Sequence, residues 1–353
     1  MSVDAASAAG TGPVIAQGVD DEPMAPNQRD PRAGTGVLIA VLCAAYTLFH
    51  LFVMVVYPLE TWTYRMMHVC GGLIIGFLTY SALTQRSDSA TAPARRGMAE
   101  LALLGVAALG VGYGLAVIAY AWGAWWLAGV AMPPAFGFRT YGLPLAIGTG
   151  AAIIAGWLYS SRDRSRIYPG DLILCLASIA VLGYILFVVG ALRMRAGTAM
   201  AQPGDLWAAV TGVMLILELT RRLTGLALVI IVAVFIGYSF LGPWLPGFLN
   251  HRGYTATRFF TYIFTDQGIL GDPIAVSSTY IILFIVFAAF LQASKVGDYF
   301  VNFAFACAGQ ARGGPAKVAV FASGLMGMIN GTSAGNVVST GSLTIPLMKK
   351  VGY

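Results

Sequence analysis

The chain has 353 residues, of which 58% are hydrophobic and only 10% charged, with a net charge of +6 and a mean hydropathy of +0.76. Such a composition excludes a water-soluble enzyme and indicates an all-α polytopic membrane protein. The positive excess lies mostly in short loops between apolar runs, so it marks membrane topology and not nucleic-acid binding.

Residues 1–35 are rich in Ala, Gly, Pro and Asp, lack periodicity, and read as a disordered tail with no cleaved signal peptide evident. Apolar spans are expected at about 36–57, 66–83, 101–121 and 140–159, the third closed by a belt of Trp122, Trp125 and Trp126. The loops after the second and fourth spans carry Arg86, Arg95, Arg96, Arg162, Arg164 and Arg166, while the 123–138 loop has no Lys or Arg up to Phe138. The Arg-rich side is therefore cytoplasmic, and the N-terminus lies with it. A fifth span, 171–192, leads to an external loop where Arg193 and Arg195 depart from that rule. The run 206–220 is short for a crossing and ends at Glu218, three and four residues before Arg221 and Arg222, a spacing suited to an ion pair on one helix face and read as an interfacial anchor. Further spans follow at 223–241 and 277–293, giving about eight transmembrane helices. Residues 255–270 and 298–310 read as helices lying on the membrane surface.

No catalytic constellation stands out. His50, His68 and His251 lie far apart in sequence, and His68 reads as a packing histidine inside the second span. Cys43, Cys70 and Cys175 sit in apolar runs and Cys307 in a mildly amphipathic stretch, so neither a disulfide framework nor a metal cluster is expected. No phosphate loop is present, and no enzyme activity or cofactor is expected.

The stretch 315–350 has a different character: apolar, then small and polar, then apolar again, with Lys317 at its start and Lys349 and Lys350 at its end. Val318 to Ile329 is about 12 residues, roughly 18 Å as a helix, against roughly 30 Å of hydrocarbon. Val337 to Met348 is equally short. Non-helical backbone at membrane depth survives only inside protein or beside a wet cavity. The pattern therefore predicts a re-entrant helical hairpin broken at 330–336, with both ends on the cytoplasmic side. The competing reading is one continuous helix packed through Gly327, Gly331 and Gly335. In the hairpin, the last carbonyls of the first arm and nearby Ser, Thr and Asn oxygens suit a small alkali cation. The free amides of the second arm favour an anion such as a carboxylate.

Three pieces of residues 204–353, GDLWAAVTGVMLILELTRRLTG, LPGFLNHRGYTATRFFTYIFTDQGILGDP and GGPAKVAVFASGLMGMINGTSAGNVVSTGSLTIPLMKKVGY, together with their spacing, resemble the permeases of tripartite ATP-independent periplasmic (TRAP) transporters, of the type with small and large membrane subunits fused. The resemblance implies the following organisation: a cytoplasmic tail at 1–35, a four-helix small-subunit-like domain at 36–170, a connector at 171–203, and the first part of the large permease domain at 204–353 containing the hairpin 315–350. It implies an elevator-type, sodium-coupled permease of a bacterial inner membrane, taking up organic acids delivered by a periplasmic solute-binding protein, with surface helices that brace the moving part. Carried over, the substrate and ion site falls on Gly331, Thr332, Ser333, Gly335, Asn336 and Thr340, with Ser333 and Asn336 as sodium ligands. Family members of this type continue for several hundred residues beyond the first hairpin, so the chain is expected to be truncated and to need the C-terminal half of the permease as a partner. The alternative is a non-transporting membrane scaffold, an assembly subunit or an inactive fragment.

Overall fold

The structure, a computed structural model, describes residues 27–30, 33–83, 97–129, 140–160, 166–198, 200–294 and 296–328, and beyond these 336–337, 340–341, 344–345, 348–349 and 352. The described residues are helical, with α1 Ala33–Val55, α2 Thr61–Thr79, α3 Met98–Ala128, α4 Gly142–Tyr159, α5 Pro169–Arg195, α6 Pro203–Thr224, α7 Leu226–Leu241 and α8 Ala256–Ile263. Next comes α9, a continuous run of Asp272–Val276, a π-helical turn Ser277–Ile281 and Ile282–Ala293, then α10 Val296–Ala308 and α11 Gly314–Met326. The chain divides into one compact unit, Ala25–Leu283, and a second that includes Phe284–Tyr353.

Among the described residues, six helical stretches are long and apolar enough to cross a membrane: Gly34–Val55, Met98–Ala128, Gly142–Tyr159, Pro169–Arg195, Leu226–Trp244 and Asp272–Leu291. The second of these, α3, runs on through the tryptophan belt to Ala128 instead of ending before it. The remaining two expected crossings, α2 and α6, have the length, at 19 and 22 residues, but not the composition. Arg65 and His68 interrupt α2, and Asp205, Glu218, Arg221 and Arg222 interrupt α6. Lipid on every side would leave such groups without partners. The fold answers by enclosing them. Phe77 of α2, Leu145 of α4, Leu174 and Tyr184 of α5 and Leu215 of α6 form one core with no exposed side-chain surface, and Asp205, Glu218 and Arg222 are buried within the same unit. Helices α3 and α4 come together through glycine: a Cβ on Gly110 would stand 2.3 Å from the Pro144 carbonyl oxygen, and one on Gly148 2.9 Å from that of Ala107. Backbone-to-backbone approach of this kind is how apolar helices gain dispersion energy in the absence of a hydrophobic drive.

Polar contacts gather at the two ends of the first unit, and their membership shows that α2, α4 and α6 run in one direction and α5 in the other. At one end the last four carbonyls of α2 are all accounted for. Gly76 accepts from the Tyr80 amide, Phe77 and Leu78 from Arg29 Nη1 at 2.7 and 3.0 Å, and Thr79 from the Arg29 amide at 2.9 Å. Residues 27–30, assigned by sequence to the tail, are thus clipped onto α2, with a bridge between Gln28 and Tyr80. Arg29 Nη2 pairs with Asp171 of α5, and Arg222 Nη2 lies 2.8 Å from the other oxygen of that carboxylate, an ion contact whose angle is not that of a hydrogen bond. Glu218 accepts from Arg222 Nε, Arg221 Nε and Trp157 Nε1, each at 2.8 Å. The expected pairing of Glu218 with both arginines is present, but it is a buried brace joining α4, α5, α6 and the N-terminal clip, where an interfacial anchor was expected.

At the other end Glu60 caps α2 by accepting from the Trp62 and Thr63 amides and also pairs with Arg193. Arg195 donates to both oxygens of Asp205 at 2.6 and 2.7 Å, and Tyr184 Oη donates to the same group. The two arginines that depart from the positive-inside pattern are therefore each matched by a carboxylate. Between α6 and α7 stands Gly225, with φ 85° and ψ −171°, a region open in practice to glycine alone. None of α7 beyond it is buried.

His50 and His68, distant in sequence, meet in space. His50 Nε2 and His68 Nδ1 are 2.9 Å apart, His50 Nδ1 is 2.8 Å from the Tyr46 carbonyl oxygen, and His68 Nε2 is 3.1 Å from Ser277 Oγ. A carbonyl can only accept, so His50 donates from Nδ1 and accepts at Nε2. His68 Nδ1 lies within reach of both His50 Nε2 and, at 2.7 Å, Tyr46 Oη; as a neutral ring donating from Nδ1 it accepts the Ser277 hydroxyl at Nε2. Tyr46 Oη donates to the His68 carbonyl at 2.9 Å, and Tyr64 Oη donates to that of Ser278. With two neutral imidazoles the network is satisfied, and it ties α1 and α2 to the π turn of α9. The cysteines are all free; Cys70 and Cys175 are buried, Cys43 is half-buried and Cys307 is exposed.

Asp171→Ala leaves Arg29 and Arg222 buried without their shared carboxylate, so a loss on the order of 3–5 kcal/mol is expected. Arg193→Ala, at an exposed pair, is expected to cost under about 1 kcal/mol. Denaturant unfolding in detergent measures both; equal losses would contradict the bracing role of the cluster.

Candidate functional site

The second unit is built on α10 and α11. Val301 and Ala304 of α10 pack against Val318 and Ala322 of α11, with Phe305 and Ala308 beside them. Residues 298–310, expected to be helical, are so from Val296 to Ala308. By contrast, the expected surface helix 255–270 shrinks to Ala256–Ile263 in the first unit. Thr255 caps its start by accepting from the Arg258 amide at 3.4 Å. After Ile263 the backbone turns: the Ile269 amide reaches back to the Ile263 carbonyl at 2.7 Å, and that of Leu270 to Thr265 at 3.0 Å. Phe264 and Leu270 are buried in the core, a wedge where the pattern read as a continuous interfacial helix.

In α11 the first arm of the expected hairpin spans Gly314–Met326, and Gly327 and Met328 form a turn. Residues 336, 337, 340, 341, 344, 345, 348 and 349 are helical again. Asn336 Nδ2 donates to the Ser323 carbonyl at 3.1 Å and lies 3.1 Å from Ser323 Oγ. Thirteen residues of unbroken helix would separate these positions by about 20 Å. The chain therefore reverses between α11 and Asn336, and one rod from 318 to 345 is excluded.

The reversal has a local logic. The Ser323 carbonyl, in the last turn of α11, already accepts from the Gly327 amide at 2.9 Å; the Asn336 side-chain amide adds a second donor to it from across the turn. Gly327 permits the approach, since a Cβ there would lie 3.4 Å from Asn336 Nδ2 and 3.2 Å from the Ser323 carbonyl oxygen. With the amide nitrogen engaged, Asn336 Oδ1 is buried and has no hydrogen-bond partner among the described residues. One turn on, Thr340 Oγ1 donates to the Asn336 carbonyl at 2.7 Å, and Thr344 Oγ1 to that of Thr340 at 2.7 Å. Both threonines are buried, so a polar face runs down the second arm from Asn336. A threonine that donates to its own helix still presents lone pairs to a cation. Of the six expected site residues, Asn336 and Thr340 thus lie together. Gly331, Thr332, Ser333 and Gly335 lie outside the described residues. Ser323, which sequence reading passed over, joins Asn336; its only signal was a lone hydroxyl in an apolar run.

Lys317 and Lys349 are both exposed. With a reversed chain, cysteines placed by Lys317→Cys and Lys349→Cys, in a background without other cysteines, are expected to react with a membrane-impermeant maleimide from the same side. Reaction from opposite sides would contradict the re-entrant reading.

Residues 211–353 match the family model described as "Tripartite ATP-independent periplasmic transporter, DctM component". Neither a curated protein nor a solved structure matches the chain. The matched region begins within α6, takes in α7 to α11 and carries the reversed segment with its buried amide. Over residues 211–353, about two fifths of its length, the chain is accordingly similar to the DctM component of tripartite ATP-independent periplasmic transporters.

Proposed function

We propose that the chain is a permease component of a sodium-coupled secondary transporter that takes up organic acids handed over by a periplasmic solute-binding protein, in a bacterial inner membrane with the N-terminus cytoplasmic. The observation that carries this reading is Asn336 Oδ1, a buried acceptor without a donor among the described residues, beside the end of α11. An uncompensated oxygen in a dry site costs roughly 1–3 kcal/mol. A small hard cation offsets that cost and takes further oxygens of the same kind from carbonyls and hydroxyls. Ser333 and Asn336 are the proposed sodium ligands, with Gly331, Thr332, Gly335 and Thr340 completing the ion and substrate site. The helix starting near Asn336 presents the positive end of its dipole to the same place, which favours the substrate carboxylate once the cation is bound. A cation and an anion sharing one hairpin tip bind with mutual support, and this is the physical basis of coupled uptake.

The test is uptake into proteoliposomes that hold the permease, with a solute-binding protein loaded with its organic acid and an imposed sodium gradient. Asn336→Ala combined with Ser333→Ala is expected to raise the sodium concentration for half-maximal uptake by about tenfold or more, the equivalent of about 1.4 kcal/mol of lost ligation. Unaltered sodium dependence in the double variant would overturn the site assignment.

A further inference from the structure

In the first unit, a cavity of about 480 Å³ opens beside α8, lined by Gly197, Tyr254, Arg258, Phe259, Tyr262 and Ile263. Its size falls in the range of small-molecule sites. Its chemistry is unusual for this surface. Arg193 and Arg195, at the same end of the bundle, each hold a carboxylate, whereas Arg258 is exposed and has no ion-pair partner among the described residues. The walls around this one cation are aromatic and aliphatic. Tyr254 and Tyr262 remain 54% and 50% exposed, and Trp244 and Phe248, in the short 3-10 turns of the chain before α8, are 84% and 95% exposed. Exposed Trp, Tyr and Phe around a short amphipathic helix mark the level of lipid headgroups.

Beyond one guanidinium the walls donate only through the Tyr254 and Tyr262 hydroxyls, and the rest is aromatic and aliphatic carbon that gives a free inorganic anion nothing. A phospholipid is well served: its phosphodiester carries a single negative charge that a guanidinium meets with two parallel donors, and its glycerol and proximal acyl carbons need apolar contact. We propose that this cavity is a phospholipid headgroup site in which Arg258 pairs with the phosphodiester while Tyr254, Phe259, Tyr262 and Ile263 hold the glycerol region. The bound lipid fills the space between α8 and the turn after α5 that contains Gly197.

Native mass spectrometry of the full chain in detergent tests this, with short-chain phosphatidylglycerol, short-chain phosphatidylcholine, diacylglycerol and inorganic phosphate as probes. Both phospholipids are expected to be retained in preference to diacylglycerol, and inorganic phosphate is not expected to displace them. Arg258→Gln is expected to weaken retention about tenfold or more, in keeping with loss of a charged hydrogen bond, and the exposed Arg252→Gln to leave it unchanged. Ile263→Trp, which fills the cavity from its wall, is expected to exclude the lipid while keeping the arginine, and serves equally if Arg258→Gln does not fold. Equal retention by the Arg258→Gln and wild-type chains, equal weakening by Arg252→Gln, or displacement by inorganic phosphate would each overturn the proposal. So would an Arg258→Gln variant that keeps its lipid but loses capture by a solute-binding protein, since that result makes the face a protein-docking surface.

Discussion

A polar group inside a bilayer finds its partners in the protein or goes without them, and in this chain that constraint selects the position of each helix. The decisive case is α6. It brings Asp205, Glu218, Arg221 and Arg222 into an otherwise apolar assembly, with Asp205, Glu218 and Arg222 buried. Placed against lipid, the helix would be unstable. Placed in the middle, it requires a complementary group from each neighbour: Asp171 and Arg195 from α5, Trp157 from α4, carbonyls from the end of α2, and an amide from the N-terminal clip. The helices with nothing polar to hide, α7 and the later part of α9, are the least buried of the candidate spans among the described residues. Chemical completeness inside the unit, more than any match of apolar shapes, orders the bundle.

Much of this is legible in the amino-acid sequence because hydropathy and helix length report directly on the solvent. The long apolar runs appear close to where their composition puts them, and the spacing of Glu218 from Arg221 and Arg222 announces their pairing. What is not legible is partnership between distant residues. Nothing along the chain links Arg29 to Asp171, or His50 to His68 to Ser277; those pairs exist because antiparallel helices bring the same depth of the membrane together from different stretches. The shortened α8 has a related cause. Phe264 and Leu270 fit an amphipathic surface pattern, but the core offered them more burial than a helix lying on lipid could, and Gly268 and Gly271 let the backbone turn to deliver them. The polar break after α11 is readable because a cluster of glycine, asparagine and hydroxyl residues in the middle of an apolar run is unfavourable in lipid unless the chain turns there inside protein. The role of Ser323 is not, since one hydroxyl in a helix commonly serves only its own backbone.

Among the described residues, Asn336 carries a buried oxygen without a hydrogen-bond partner. Asn336 divides its amide: the nitrogen is held by the Ser323 carbonyl and hydroxyl, and the carbonyl oxygen is thereby fixed in place. Anchoring one half of the group pre-orients the other half. An ion arriving there would meet a ligand whose ordering entropy has already been lost in folding.

Gly225 joins a helix that the bundle grips on all sides to one with no buried residue. The two do not share a continuous ladder of hydrogen bonds, so a sideways force on α7 is not passed into the charged interior of α6 but is taken up as torsion at a single backbone position. The joint therefore works as a mechanical fuse, letting the outer rod follow changes in bilayer thickness or a neighbour's position while the carboxylate–guanidinium lattice behind it keeps its register.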